Sequence, residues 1–352
     1  MKNKIKIDNK YIGTDQPMYF IAEAGVNHNN SLEIAFKLVD AAVNAKADAV
    51  KFQTFKAKNI ALKNAPKANY HIETTGSDQI ESWYDMLERQ ELSLEYHYKI
   101  LEYCNENKIT FLSTPYDLES VDLLEKVGVN AYKVASTDNQ NYILLDYLIK
   151  KNKPIIVSTA MCYEEEVDNL YNHFQKNNFD ELVIMHCTGN YPSALNESNL
   201  LVLKSYLEKY DCIIGYSDHN LDIINPIAST AMGIKVYEKH ITIDKSLEGP
   251  DHRASLTPKE LKETISNIRK TELSLGNDIK TCTPSELSNR DKLKKSIYLS
   301  KDINTNEIFG MEHLCAKRPA HGISPQNYKS IIGKKSLKNL KVDHLLSEQD
   351  YE

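Results

Sequence analysis

The 352-residue chain has no run of about 18 apolar residues, so nothing in it reads as a membrane-spanning helix. Its opening residues, MKNKIKIDNK, lack the apolar core of a signal peptide, and a cytoplasmic location is expected. No basic stripe occurs and the net charge is −6, which removes nucleic acid from the expected partners, as the missing apolar run removes the membrane. None of the six cysteines (Cys104, Cys162, Cys187, Cys212, Cys282, Cys315) belongs to a C-x-x-C pair, so they are read as reduced, mostly buried thiols, Cys187 at a strand end where it could line a site. The dipeptide Gly333-Lys334 is not a P-loop, because Tyr328 stands where the first glycine should be. There is no low-complexity segment and no internal repeat beyond the alternation described next.

What is present is a series of eight short, apolar, β-rich runs between residues 18 and 242. They are MYFIAEAG from Met18, AVKFQTF from Ala49, TFLSTP from Thr110, AYKVAS from Ala131, PIIVSTA from Pro154, LVIMHCTGN from Leu182, IIGYSDH from Ile213 and KVYEKHIT from Lys235. Each has the composition of a strand buried on both faces. Between them lie segments of helical period, such as 32–44, 96–105, 120–126 and 141–151. Eight βα units in succession predict a (β/α)₈ barrel, in which chemistry sits at the carboxyl ends of the strands. Those ends carry Glu23, Asn27, His28, Lys51, Gln53, Thr114, Lys133, Ser136, Asp138, Ser158, Asn190, Ser217, His219, Glu238 and His240. Contact with water alone makes strand ends polar, but a purely structural barrel has no need of so many.

Such a barrel takes about 250 residues, so a second module is expected after the eighth helix. The boundary is placed after the amphipathic helix 258–275, giving a barrel over 1–276, a polar linker over 277–290 and a small domain over 291–352. Short strands and turns dominate that last part, with a short helix near 325–332. Its length allows only a modest core, so it is expected to lean on another surface.

The motifs IAEAGVNHN, KFQTF, FLSTP, GYSDH, EKH, EGPDH and KRPAHGIS occur in this order from residue 18 onward. Together they resemble the sialic acid synthase family, whose members condense phosphoenolpyruvate with an N-acetylated amino sugar. The resemblance implies a barrel followed by an antifreeze-like (SAF) domain, and a domain-swapped homodimer in which that domain caps the partner's barrel. It implies a transferase that joins phosphoenolpyruvate to N-acetylmannosamine, giving N-acetylneuraminate and phosphate by C–O cleavage. The alternative within the family is a 2,4-diacetamido-2,4,6-trideoxymannose substrate, giving N,N'-diacetyllegionaminate, because EGPDHRAS at 248–255 fits both the sialic and legionaminic branches. A barrel that binds a sugar or phosphate without turnover is the alternative of another class.

Joining an enol carbon to an aldehyde calls for a Lewis acid and for cations around the departing phosphate. His219 and His240 end adjacent strands and match the family's metal ligands, which implies a weakly held Mn²⁺ or Mg²⁺. Lys51, Thr114, Lys133, Ser136, Ser158, Tyr191 and Ser217 match positions that bind phosphoenolpyruvate. A solvated lysine is the plain alternative, but Lys51 and Lys133 lie inside apolar runs, where a charge needs a partner. Glu23 and Asp138 are the candidate carboxylates for proton handling. By resemblance, Gln53, Glu238 and Asp251 contact the sugar and Arg318 reaches it from the partner chain. His252 is left between bonding to the sugar and bracing its loop. Two departures from the family pattern stand out: Ala135-Ser136-Thr137 replaces a common Gly-Ser-Gly, and Asn30 replaces a frequent glycine, a turn position that asparagine tolerates.

Overall fold

The computed structural model describes residues 4–77 and 80–352, and these divide into two compact units, Met1–Gly276 and Asn277–Glu352. The first unit opens with an antiparallel hairpin, β1 (Lys4–Ile7) and β2 (Lys10–Gly13), which the sequence reading did not include. Eight parallel strands follow: β3 (Tyr19–Gly25), β4 (Ala49–Thr54), β5 (Thr110–Pro115), β6 (Tyr132–Val134), β7 (Ile155–Ser158), β8 (Leu182–Cys187), β9 (Ile213–Asp218) and β10 (Val236–His240). The ladder runs β5-β4-β3-β10-β9-β8-β7-β6, so the last strand pairs with the first, and β5 and β6 lie side by side to complete the ring.

Side chains alternate across each strand with a period of two, and this sorts the residues into two cores. Phe20, Ala22, Val50, Phe52, Val157, Ile184, Tyr216 and Tyr237 point outward and pack beneath the helices. Ile21, Ala49, Leu112, Ala131, Ile156, Met185, Ile213 and Val236 point inward. Ile5, Ile7 and Ile12 of the hairpin join that inner cluster, closing the lower end with apolar side chains. The next inward position, two residues on, is polar in most strands: Glu23, Lys51, Thr114, Lys133, Ser158 and Glu238, joined by Ser217 four residues on from Ile213, all buried. The barrel interior is therefore apolar below and charged at its carboxyl-end mouth.

Helices begin where capping side chains allow. Ser31 accepts from the Ile34 amide ahead of Leu32–Ala45, and Thr257 with Glu260 forms a reciprocal cap ahead of Pro258–Leu275. Asn30 has φ of 54°, the left-handed turn anticipated for it. Among the described residues, no helix is long and apolar enough to cross a membrane.

The second unit holds a small antiparallel pair, β11 (Ser296–Leu299) and β12 (Leu314–Lys317), around Ile297, Leu299, Ile303, Phe309, Ile331, Leu340 and Leu346. The stretch expected as a linker belongs to this unit and contains a helix, Pro284–Leu293. Thr283, Pro284 and Glu286 give it a capping box with proline at the first turn. No residue of that helix is buried, so it carries no apolar stripe by which the sequence would betray it.

Candidate active site

The polar inward positions converge on one cavity of roughly 550 Å³ at the barrel mouth. At its floor, Lys51 Nζ lies 2.7 Å from Glu23 Oε2 and 3.8 Å from Glu238 Oε2 and donates to Thr114 Oγ1 at 3.0 Å. Lys133 Nζ donates to Ser158 Oγ at 2.6 Å and stands 3.7 Å from Glu238 Oε1. Ser217 Oγ donates to the same Glu238 oxygen at 3.1 Å, and Gln53 Nε2 to Glu23 Oε1 at 3.3 Å. Two buried ammonium groups thus share two buried carboxylates, which is how charge survives in a strand interior.

The two carboxylates titrate differently. Burial, reinforced by the like charge of Glu238, raises the Glu23 pKa to about 7 despite Lys51. Glu238 is buried too, but Lys133 and Lys51 between them hold its pKa below the ordinary value. Burial lowers the Lys133 pKa against the pull of Glu238.

His219 and His240 stand on the rim with ring centroids 5.5 Å apart, and the Tyr191 ring lies against His219 with centroids 3.9 Å apart and planes tilted by 31°. His219 Nδ1 donates to the Thr188 carbonyl at 2.6 Å, which leaves Nε2 as the ring's lone-pair nitrogen. Burial lowers the His219 pKa to about 4 and that of His240 further, so both rings are neutral. His240 Nδ1 is buried without a hydrogen bond, 3.7 Å from Asp251 Oδ2. Burial raises the Asp251 pKa to about 6. No cluster of three or more His, Cys, Asp or Glu side chains suited to a metal exists among the described residues. The donors fit an ion that keeps oxygen ligands from water and substrate in its other positions, as Mn²⁺ and Mg²⁺ do, and do not fit a closed zinc site.

Every residue given a catalytic, metal, phosphoenolpyruvate or sugar role from the sequence lines this cavity except Arg318, which lies in the second unit. There its Nε donates to the Leu293 carbonyl at 2.8 Å. Asp138 lines the cavity, yet its Oδ1 accepts from Asn141 Nδ2 at 2.9 Å and its Oδ2 from Thr137 Oγ1 at 3.0 Å. It is engaged within the turn that precedes the helix Tyr142–Ile149, whereas Glu23 bonds to Lys51 and Gln53 of the neighbouring strand. Ser136 Oγ accepts from the Ala160 amide at 3.0 Å. Ala135 has φ of −67°, a conformation that needs no glycine. Cys187 also lines the cavity, its thiol pushed up to about 12 by burial and hence unreactive.

Three polar strand-end residues do other work. Asn27 donates to Ile241 O and Ser255 Oγ, His28 packs on Phe52 outside the cavity, and Asn190 accepts from the Tyr191 amide. His252 braces its loop, with Nδ1 on Thr242 Oγ1 at 2.7 Å and Nε2 near Asn29 Oδ1 at 3.4 Å. The structure adds lining residues that sequence reasoning missed, chiefly Tyr70, His71, Trp83, Met86, Gln90 and Tyr116. All but Tyr116 come from the long β4-to-β5 connection, where Asn69–Thr75 and Trp83–Gln90 are short helices. A serine at 82 followed by aspartate at 85 was the available sign of the second helix start. Residues 78 and 79 of that connection lie outside the described residues.

A profile of the NeuB family matches residues 38–280. The chain belongs to that family. It is 42% identical to the N,N'-diacetyllegionaminic acid synthase of Campylobacter jejuni over 93% of this chain and 98% of that one. It is 39% identical to the N,N'-diacetyllegionaminic acid synthase of Legionella pneumophila, over 93% of each. Among solved structures, an N-acetylneuraminic acid synthetase from Leptospira borgpetersenii, crystallised with citrate, superposes with a TM-score of 0.71 at 29% identity, covering 82% of this chain and 95% of that one. The resemblance to sialic acid synthases and the barrel architecture are thus shown, and the chain is an enzyme of this synthase family.

Proposed function

We propose that this enzyme condenses phosphoenolpyruvate with an N-acetylated amino sugar, releasing inorganic phosphate. The observation that carries this is the cavity floor, where Lys51 bonds to Thr114, Lys133 to Ser158, and Ser217 to the Glu238 that both lysines face. Two cations and several hydroxyls with buried side chains suit a small ligand with a carboxylate and a phosphate.

In the reaction, C3 of phosphoenolpyruvate bonds to the aldehyde carbon of the sugar, and the aldehyde oxygen gains a proton. Water bonds to C2 and gives up a proton, which Glu23 accepts. The C2–O bond to phosphate then breaks as the C2 hydroxyl passes its proton to the departing phosphate, leaving a 2-keto acid. His219 and His240 would hold the Mn²⁺ or Mg²⁺, whose contribution is Lewis-acid polarisation of the aldehyde. Lys51 and Lys133 neutralise the departing phosphate. Gln53, Glu238 and Asp251 present polar atoms to the sugar, and Tyr191, lying against His219, helps to hold that ring in place.

For the sugar we place 2,4-diacetamido-2,4,6-trideoxymannose first and N-acetylmannosamine second, reversing the order expected from the sequence. Support comes from two legionaminic acid synthases, each matched over 93% of this chain. The antifreeze-like character of the second unit, the swapped homodimer and the role of Arg318 at the partner's site are part of the same proposal. Cytoplasmic action goes with a phosphorylated substrate made inside the cell. Phosphate release measured with each sugar, with and without divalent ion, tests the reading. Release requiring phosphoenolpyruvate, sugar and ion together supports it, and none with either sugar defeats it.

A further inference from the structure

The cavity has a wall that the condensation chemistry leaves unused. Trp83, Met86, Leu87 and Gln90 are spaced three, four and seven residues apart, which puts them on one face of the helix Trp83–Gln90, and all four line the cavity. His71, from the helix Asn69–Thr75, joins them with its ring centroid 6.1 Å from that of Trp83. Three polar atoms on this wall are buried with no hydrogen-bond partner: His71 Nδ1, Trp83 Nε1 and Gln90 Nε2. Gln90 is 2% exposed and His71 9%, so water does not reach them freely.

A buried polar group without a partner disfavours folding, and native structures contain few. Three on one wall mark a place where a ligand supplies the partners. Their chemistry is selective. The indole N–H and the amide NH₂ only donate, so each calls for an acceptor, such as a carbonyl oxygen. Burial lowers the His71 pKa to about 4, so the ring is neutral near pH 7 and its Nδ1 can accept from an amide N–H. An acetamido group carries both the carbonyl and the N–H, with a methyl suited to Met86 and Leu87.

We propose that His71, Trp83 and Gln90 form a subsite for the second acetamido group of a diacetamido sugar. This rests on the amino-sugar reading above and names the residues that select within that class. N-acetylmannosamine carries a hydroxyl in place of that group, and one hydroxyl cannot meet two donors and an imidazole while filling the apolar part. A site built to bond an amide rejects the analogue lacking it, because its own groups stay unpaired.

The test uses Trp83→Phe and Gln90→Met, which remove the donors and keep most of the shape. Calorimetry gives the Kd of each sugar on the full chain without phosphoenolpyruvate, so no turnover is required. Wild type is expected to bind the diacetamido sugar at least about tenfold more tightly than N-acetylmannosamine, and each variant to lose about tenfold of that preference. Each variant is expected to melt no lower than wild type, since the atoms removed have no partner in the free protein. A wild-type protein without the preference, variants that keep it in full, or a lowered melting temperature from bonds made within the fold would each overturn the subsite. Phosphate release from the diacetamido sugar with unchanged selectivity sinks the subsite and leaves the condensation standing. A selectivity lost in the variants with no phosphate release from any sugar does the reverse.

Discussion

Lys51 Nζ stands 2.7 Å from Glu23 Oε2 on the neighbouring barrel strand, both buried, and yet the carboxyl keeps a pKa of about 7. Desolvation outweighs the ion pair, and the charge of Glu238 adds to it. A carboxylate poised near neutrality can take a proton and give it back during turnover.

The sign follows from that position. Glu23 accepts a proton only when ionised, so kcat/KM is expected to fall as pH drops through about 7 and to level off above it. In Glu23→Gln activity should drop by about a hundredfold or more, and whatever remains should lose this acid limb. A limb of the same midpoint surviving in the variant assigns the titration to another group.

The lysines offer a second measurement. Lys133→Ala removes a charge-assisted contact of roughly 1.5–3 kcal/mol, so the KM for phosphoenolpyruvate should rise at least about tenfold. The sugar's KM should change far less. The same holds for Lys51→Ala, with the difference that Glu23 also loses its cation, so its pKa should climb further and the acid limb move to higher pH. Unchanged phosphoenolpyruvate kinetics in both variants would return the lysines to a purely structural part.

Much of this site is legible in the chain because a strand buried on both faces leaves a readable signature. In AVKFQT the alternation puts Lys51 on the same face as Ala49, and in VYEKH it puts Glu238 with Val236, so a charge among apolar residues marks the interior mouth. His28 was misplaced among the candidates for the same reason: it lies beyond the register shift at Glu23/Gly25, where strict alternation no longer applies. The hairpin β1–β2 was missed because its four-residue strands carry lysines on the open face, and its isoleucines find burial only against the barrel floor. The helix Trp83–Gln90 was missed because what it buries includes Gln90, a polar residue whose reason for burial is the cavity. Asp138 looked like a free acid in sequence, and only three-dimensional neighbours reveal Asn141 and Thr137 on its oxygens.

The rim histidines predict a metal dependence with a spectroscopic handle. Both rings are neutral, so they can bind a cation without first losing protons at pH 7. His240→Ala is expected to weaken Mn²⁺ binding at least about tenfold, read from the free Mn²⁺ signal in electron paramagnetic resonance, and to abolish turnover. A chelator should silence the wild type, with Mn²⁺ or Mg²⁺ restoring it. Full activity under chelation, or unaltered Mn²⁺ binding by His240→Ala, counts against these ligands.

The last prediction concerns Arg318, whose Nε is tied to the Leu293 carbonyl in the second unit. That tether fixes the base of the guanidinium and leaves its outer nitrogens to bond elsewhere, the fork geometry that suits a carbonyl oxygen. If it completes the sugar site of a partner chain, Arg318→Ala should raise the sugar's KM at least about tenfold and leave that for phosphoenolpyruvate nearly unmoved. Mixing Arg318→Ala with Glu23→Ala, at a sugar concentration well below the raised KM so that each alone turns over little, and allowing subunits to exchange should then restore part of the activity. A mixed dimer contains one site with an intact Glu23 from one chain and an intact Arg318 from the other, and at random exchange half of the dimers are mixed. Exchange demonstrated by mass spectrometry without any recovery would mean that each chain completes its own barrel, or that the arginine serves only the fold of its unit. A melting temperature equal to wild type in Arg318→Ala excludes the second of these and leaves the first as the conclusion.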